Sequence, residues 1–194
     1  MKKIVAILCL AFIGVNSSFA QSTTAPATPV PDFKNQPMLL TKKKTLVKLE
    51  KQIVEQKTKA KALGYGGVSS IILLTDEHSP VVVEPTPTFI MKIDADVDPE
   101  TVFFLRKARK VNSNGREIEM SHMSATAAFG SKGRSVKKDD TPLTFTKISD
   151  GVYSFVPATP LETGEYALIS VGQSAGVVSG GGGSNSLVYA FGVQ

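Results

Sequence analysis

The densest set of hard oxygen ligands in the chain is Asp94-Ala95-Asp96-Val97-Asp98-Pro99-Glu100, with carboxylates at every second position. Such a set suits Ca2+, which takes six to eight oxygens. The spacing departs from an EF-hand loop begun at Asp94, because Pro99 stands where the sharp-turn glycine belongs and Leu105 where the closing glutamate belongs. Two uses remain for Asp94, Asp96 and Asp98: a Ca2+ loop at the rim of a β domain, or a solvated turn punctuated by Asp98-Pro99. Ca2+ is the one cofactor these residues suggest. His78 follows Asp76-Glu77, and His122 lies between Ser121 and Met123, so a Ser/His/Asp set can be written on paper. No sequence feature identifies an oxyanion hole, so no catalytic residue is assigned and both histidines read as exposed loop residues. Gly130-Ser131-Lys132-Gly133-Arg134-Ser135 offers backbone N–H groups to a phosphate. It lacks the Gly-Lys-Ser/Thr ending and following helix of a P-loop, and reads as a hairpin tip. Glu162 and Glu165 could be the acid and base of glycoside hydrolysis, but two carboxylates three apart in a turn make no cleft, and Glu165 reads as a surface residue.

Composition narrows the chemistry further. The 194 residues are 42% hydrophobic and 20% charged, enough for one core but short for two large domains. Cys9 is the only cysteine and His78 and His122 the only histidines, which excludes a disulfide scaffold, Cys-ligated zinc and a His-rich metal site. Met1-Lys2-Lys3, the apolar run Ile4 to Val15 and the small residues Ser18 and Ala20 form the n-region, h-region and cleavage site of a secretory signal peptide. Cleavage after Ala20 is expected, giving an extracytoplasmic chain in the periplasm, on the cell surface or secreted. Acylation at Cys9 would cut the h-region in half and place bulky Leu8 before the modified residue. Removing the first 20 of 194 residues leaves 174, takes Lys2 and Lys3 with it, and lowers the net charge from +5 to +3. That modest balance, with export, argues against nucleic acid as a partner. No transmembrane span is expected in the mature chain.

The elements that would position these residues follow from pattern. Residues 21–36 carry Pro26, Pro29 and Pro31 among Thr, Ala and Ser, and read as a disordered tether. Residues 37–79 read as a β or helical extension. Within it, Leu46, Leu49, Ile53, Ala60 and Leu63 suit a helix stripe, whereas Lys57, Lys59 and Lys61 alternating with Thr58, Ala60 and Ala62 suit an exposed strand. The strand reading is preferred. Residues 80–194 read as the main domain, with strands expected at Val81–Glu84, Phe89–Ile93, Thr101–Lys110, Arg116–Met120, Leu143–Ile148, Val152–Val156, Glu165–Val171 and Leu187–Val193. Another run, Val68–Leu74, precedes them. Asn114-Gly115 and Asp150-Gly151 supply the positive φ of tight hairpins, and Gly180–Gly183 a flexible loop. Arg106 and Lys110 share a face with Ala108, so that strand is expected to become solvated toward its end. Short strands without helical periodicity between them give an all-β fold, an antiparallel β-sandwich. A membrane barrel would need aromatic girdles that 10 Phe and 4 Tyr, spread over many turns, do not supply.

Leu161-Glu162-Thr163-Gly164-Glu165-Tyr166 resembles the tyrosine corner of immunoglobulin-like sandwiches. The resemblance implies that Val152–Val156, Glu165–Val171 and Leu187–Val193 are strands E, F and G, that the Tyr166 hydroxyl bonds back to upstream backbone, and that the domain is a disulfide-free relative. The chain as a whole is similar to exported bacterial proteins of unknown function that join a signal peptide to one such sandwich. The function expected is a non-catalytic binding or structural module of the bacterial envelope, with an envelope protein or polysaccharide as partner. It would use a sheet edge or the loops at Asp94–Asp98, Ser131–Arg134 and Gly180–Gly183. The alternative is a small secreted hydrolase or Ca2+-dependent carbohydrate-binding domain built around Asp94, Asp96, Asp98 and one histidine. The lysine and arginine clusters at 42–44, 57–61, 106–110 and 132–138 either meet anionic envelope polymers or keep edge strands from aggregating.

Overall fold

Alternating β-branched and polar residues set the architecture. A computed structural model describes residues 28–60, 68–123, 140–174 and 185–194. The strands are β1 Met38–Leu40, β2 Leu46–Lys48, β3 Glu50–Ala60, β4 Val68–Leu74, β5 Val82–Val83, β6 Thr88–Lys92, β7 Phe103–Lys107, β8 Lys110–Asn112, β9 Gly115–Met123, β10 Asp140–Thr141, β11 Leu143–Ser149, β12 Val152–Pro157, β13 Gly164–Ser174 and β14 Asn185–Val193. One 3-10 turn, Pro99–Thr101, precedes β7, and the described residues contain no α-helix. The fold is all-β. Segment 42–63, open to a helix or strand reading, is strand from Leu46 to Lys48 and from Glu50 to Ala60.

Two sheets result. The smaller has the order β11-β12-β6-β1-β2; the larger runs β10-β7-β13-β14-β3-β4-β9-β8, with β5 added parallel to β14. All the other pairings are antiparallel. The larger sheet curls into a half-barrel. Its margins meet where Ala108 N–H donates to Glu165 O at 2.7 Å and Arg109 N–H to Glu117 O at 2.8 Å, so the chain leaves β13 and joins β9 within two residues.

Period-two alternation distributes two cores over the two faces of β7, β13 and β14. Phe103, Leu105, Tyr166, Leu168, Tyr189, Phe191 and Val193 face the smaller sheet and pack with its Phe89, Met91 and Phe155. The aromatic rings run in a row, Phe191 to Phe89 at 5.2 Å, Phe89 to Phe155 at 5.3 Å and Phe155 to Phe145 at 5.2 Å between centroids. The opposite positions Ala167, Ile169, Val188 and Ala190 line the inside of the half-barrel with Val54, Ile72, Leu74 and Ile118. Burial on both faces explains the near-continuous apolar run of β14.

Turns and corners follow the residues that need them. Gly115 (φ 116°) and Gly151 (φ 69°) occupy positive-φ hairpin positions, where a Cβ would lie 2.0 Å from Leu74 O and 2.5 Å from Ile93 O respectively. Pro142 stands between β10 of one sheet and β11 of the other, a chain that changes layers at a residue with fixed φ. Residues 31–37 rest on the molecule: Pro31 and Pro37 are buried, Asn35 N–H donates to Lys92 O at 2.8 Å, and the Tyr189 hydroxyl donates to Asn35 O at 3.0 Å. Burial pushes the Tyr189 phenol up to about 12. Residues 38–74 supply β1 to β4, which pair within both sheets.

Candidate functional site

The most unusual chemistry lies at one end of the half-barrel, where inward positions of three strands carry charge instead of methyl groups. Glu50 on β3 shares its face with Val54, Arg116 on β9 with Ile118, and Glu165 on β13 with Ala167 and Ile169. Arg116 is 0% exposed. Its guanidinium forks onto Glu50, Nη1 to Oε2 at 2.9 Å and Nη2 to Oε1 at 2.6 Å, and Nη1 also reaches Glu165 Oε2 at 3.4 Å. Its remaining bonds go to backbone, Nη2 to Thr75 O at 2.8 Å and Nε to Asp76 O at 3.2 Å. Arginine suits this place because its planar fork satisfies a carboxylate and two carbonyls at once and stays charged when buried.

The carboxylates are held from further sides. Glu165 Oε2 accepts the Ser79 N–H at 3.0 Å, while Oε1 lies 3.3 Å from His78 Nδ1. Glu50 Oε1 accepts from Gln52 Nε2 at 2.5 Å, and Gln52 Oε1 accepts the Thr75 N–H at 3.0 Å. Burial acts to raise the Glu50 carboxyl, but the bonds from Arg116, Ser79 and Gln52 and the Arg116 charge outweigh it and hold the group below its ordinary 4.5. Gly192 lies opposite, where a Cβ would stand 3.0 Å from Glu165 Oε1 and press on the carboxylate. Two carboxylates against one guanidinium leave a formal charge of −1 before His78 is counted.

Two concavities flank this network. A groove of about 320 Å3 lies over Glu165, walled by His78, Ser79, Val82, Thr163, Gly164 and Gly192 among others. A second, of about 350 Å3, runs between Leu39–Lys42 and Val82–Thr88, with the Lys42–Glu84 ion pair at 2.5 Å beside it. A smaller one, of about 220 Å3, lies on the outer face of β3, β4 and β9 over Ile71 and Leu73, beside the Lys59–Glu117 pair at 2.8 Å.

The residues singled out by sequence fall in different places. Asp94, Asp96 and Asp98 are exposed in the connection after β6. Asp94 takes an ion pair from Lys34, and Asp98 caps the 3-10 turn, its Oδ1 accepting the Glu100 N–H at 3.0 Å. Among the described residues no three His, Cys, Asp or Glu side chains are grouped to hold a metal ion. His78 is exposed at the rim of the Glu165 groove, whereas His122 is a backbone position of β9 opposite Ser69, so the two histidines belong to different elements. Gly130–Ser135 and Gly180–Gly183 lie outside the described residues.

Glu162 and Glu165 diverge. Glu162 is exposed and pairs with Lys107 at 2.8 Å, which lowers the Glu162 carboxyl and raises the Lys107 ammonium. Glu165 is buried, which corrects its reading as a surface residue: in β13 it alternates in phase with Ala167 and Ile169. The expected solvation of Arg106 is corrected likewise. That side chain is buried, donates to the Glu119 and Met120 carbonyls at 2.5 and 2.6 Å, lies 5.0 Å from the Phe104 ring centroid and pairs with Asp140 at 2.5 Å. Sequence reasoning missed Glu50 and Arg116. The signal available was phase: Glu50 lies four residues before Val54 and Arg116 two before Ile118, each on the inward side of its strand.

No known protein family, curated protein or solved structure matches the chain. Among the described residues no helix is long and apolar enough to cross a membrane.

Proposed function

We propose that the chain is an exported, non-catalytic immunoglobulin-like β-sandwich module that binds a protein or polysaccharide of the bacterial envelope, its signal peptide removed after Ala20. The observation that carries the binding role is topological. β3 ends and β4 and β14 begin at one end of the half-barrel, where β9 and β13 also finish, as the pairings Ala60 with Val68, Val68 with Met123 and Ser174 with Ser186 require. Three chain connections therefore leave one end of a rigid frame, the arrangement in which β-sandwiches carry recognition loops. The immunoglobulin-like reading is supported by strand order: β1-β6-β12-β11 matches A-B-E-D and β7-β13-β14 matches C-F-G. It is also supported by the bond from the Tyr166 hydroxyl to the Glu162 carbonyl at 3.0 Å. On this reading β3, β4, β8 and β9 are additions that extend the C-F-G sheet into the curl.

The test is mild in-cell crosslinking of the full chain, tagged after Gln194, in its native host, followed by purification from envelope and medium fractions. One stoichiometric envelope protein or a covalently captured polysaccharide is the expected result. A chain recovered alone from every fraction overturns the binding role.

A further inference from the structure

Residues 75–81, which join β4 to β5, are tied down almost entirely by polar bonds. Thr75, Asp76, Glu77, His78 and Pro80 are exposed, Val81 is half-buried and Ser79 is buried. Asp76 adopts φ 61°, a left-handed conformation uncommon outside glycine though more open to Asp than to most residues, and its neighbours hold it there. Those neighbours are the buried network: Arg116 on the Thr75 and Asp76 carbonyls, Gln52 on the Thr75 N–H, and Glu165 on the Ser79 N–H and His78. Further along, Ser79 Oγ donates to Ala190 O at 3.4 Å and Gly192 N–H to Val81 O at 2.8 Å. The same connection supplies walls to both larger grooves, His78 and Ser79 to one and, through β5, Val82 and Val83 to the other.

We propose that residues 75–81 are an acid-released strap: Glu50, Arg116 and Glu165 hold it shut, and loss of the Glu50 charge in acid lets it lift and widen the adjoining grooves while both sheets stay folded. The ionisable groups that face the clasp are Glu50 from β3, Arg116 from β9, Glu165 from β13, and Asp76, Glu77 and His78 from the strap; β14 presents Ala190 and Gly192. Arg116 keeps its charge at any accessible pH. Once Glu50 is neutral the buried guanidinium has lost the carboxylate onto which it forks, which is unfavourable, and lifting the strap gives it water. Glu50 is held below the ordinary carboxyl value, so the clasp is complete above that value and is lost as pH falls through the lowered one. A segment tied by polar bonds over an otherwise apolar frame is the kind of unit that opens without global unfolding.

Amide hydrogen exchange of the full chain, read by mass spectrometry and corrected for the intrinsic effect of pH, tests the strap. From pH 7 to pH 3 the protection of Thr75 and Ser79 is expected to fall roughly tenfold or more, while amides of Tyr166–Ile169 keep theirs. Glu165→Gln and Glu50→Gln are expected to produce that selective loss already at pH 7. Should either variant fail to fold, Gln52→Ala, which removes the acceptor of the Thr75 N–H and one donor to Glu50 but leaves the Arg116–Glu50 and Arg116–Glu165 pairs, is expected to loosen the strap at pH 7. Strap amides that lose protection only together with those of β13, or that hold it unchanged in acid and in the folded variants, overturn the proposal.

Discussion

Arg116 serves two carboxylates and two carbonyls, so its removal is felt by all four. Arg116→Met is expected to destabilise the fold by about 3–5 kcal/mol in urea denaturation, because it leaves Glu50 and Glu165 buried without their cation. A loss within about 0.5 kcal/mol, the range of an ordinary surface change, would contradict the network's role. The acid limb of stability has a definite sign. Glu50 is held below 4.5 in the folded chain, so its contribution is present above that value and is lost as pH falls through the lowered one. Urea midpoints measured from pH 7 to pH 3 are therefore expected to fall on the acid side, with a smaller slope for Glu50→Gln. Tyr189 acts at the opposite limit. Its phenol is raised to about 12, so unfolding is favoured as pH rises above the ordinary tyrosine value of 10.0.

At the scale of elements, the hairpins are set by single glycines and the sheet margins by devices against association. Gly115→Ala places a methyl group 2.0 Å from the Leu74 carbonyl in a positive-φ turn, and a loss of about 3 kcal/mol is expected by thermal or urea unfolding. β11 is the longest margin strand of the smaller sheet. Pro157, which has no N–H, stands opposite Leu143, and Pro142 O accepts the Ala158 N–H at 2.9 Å. By alternation Leu143, Phe145 and Lys147 turn their N–H and C=O groups outward. The edge is guarded by Lys147 on the core-facing side and by a bulge between Lys147 and Ser149. Lys147→Val is accordingly expected to shift the protein to larger species in size-exclusion chromatography, and a variant that elutes unchanged would show the guard to be idle. The strands from Val81 onward and the glycines at 115 and 151 were legible because alternation and turn chemistry are local. The curl was not legible, since nothing local says that β3 pairs β14 and β4 pairs β9. Glu50, Arg116 and Glu165 were hidden for the same reason, as their mutual contact exists only once three distant strands meet.

For the whole molecule, two cores share β7, β13 and β14, and the segment from residue 31 to 37 is pinned to the same frame by Asn35 and Tyr189. A frame buried on both faces of its central strands is rigid, which is what presentation of loops from one end requires. The functional account rests on that frame being displayed outside the cytoplasm. Its most direct test is the intact mass of the protein recovered separately from the cytoplasmic, envelope and medium fractions of its native host. The account predicts a 174-residue chain beginning at Gln21 in the envelope or medium, the first 20 of the 194 residues having been removed. A chain that retains Met1–Ala20 and stays in the cytoplasm would contradict it.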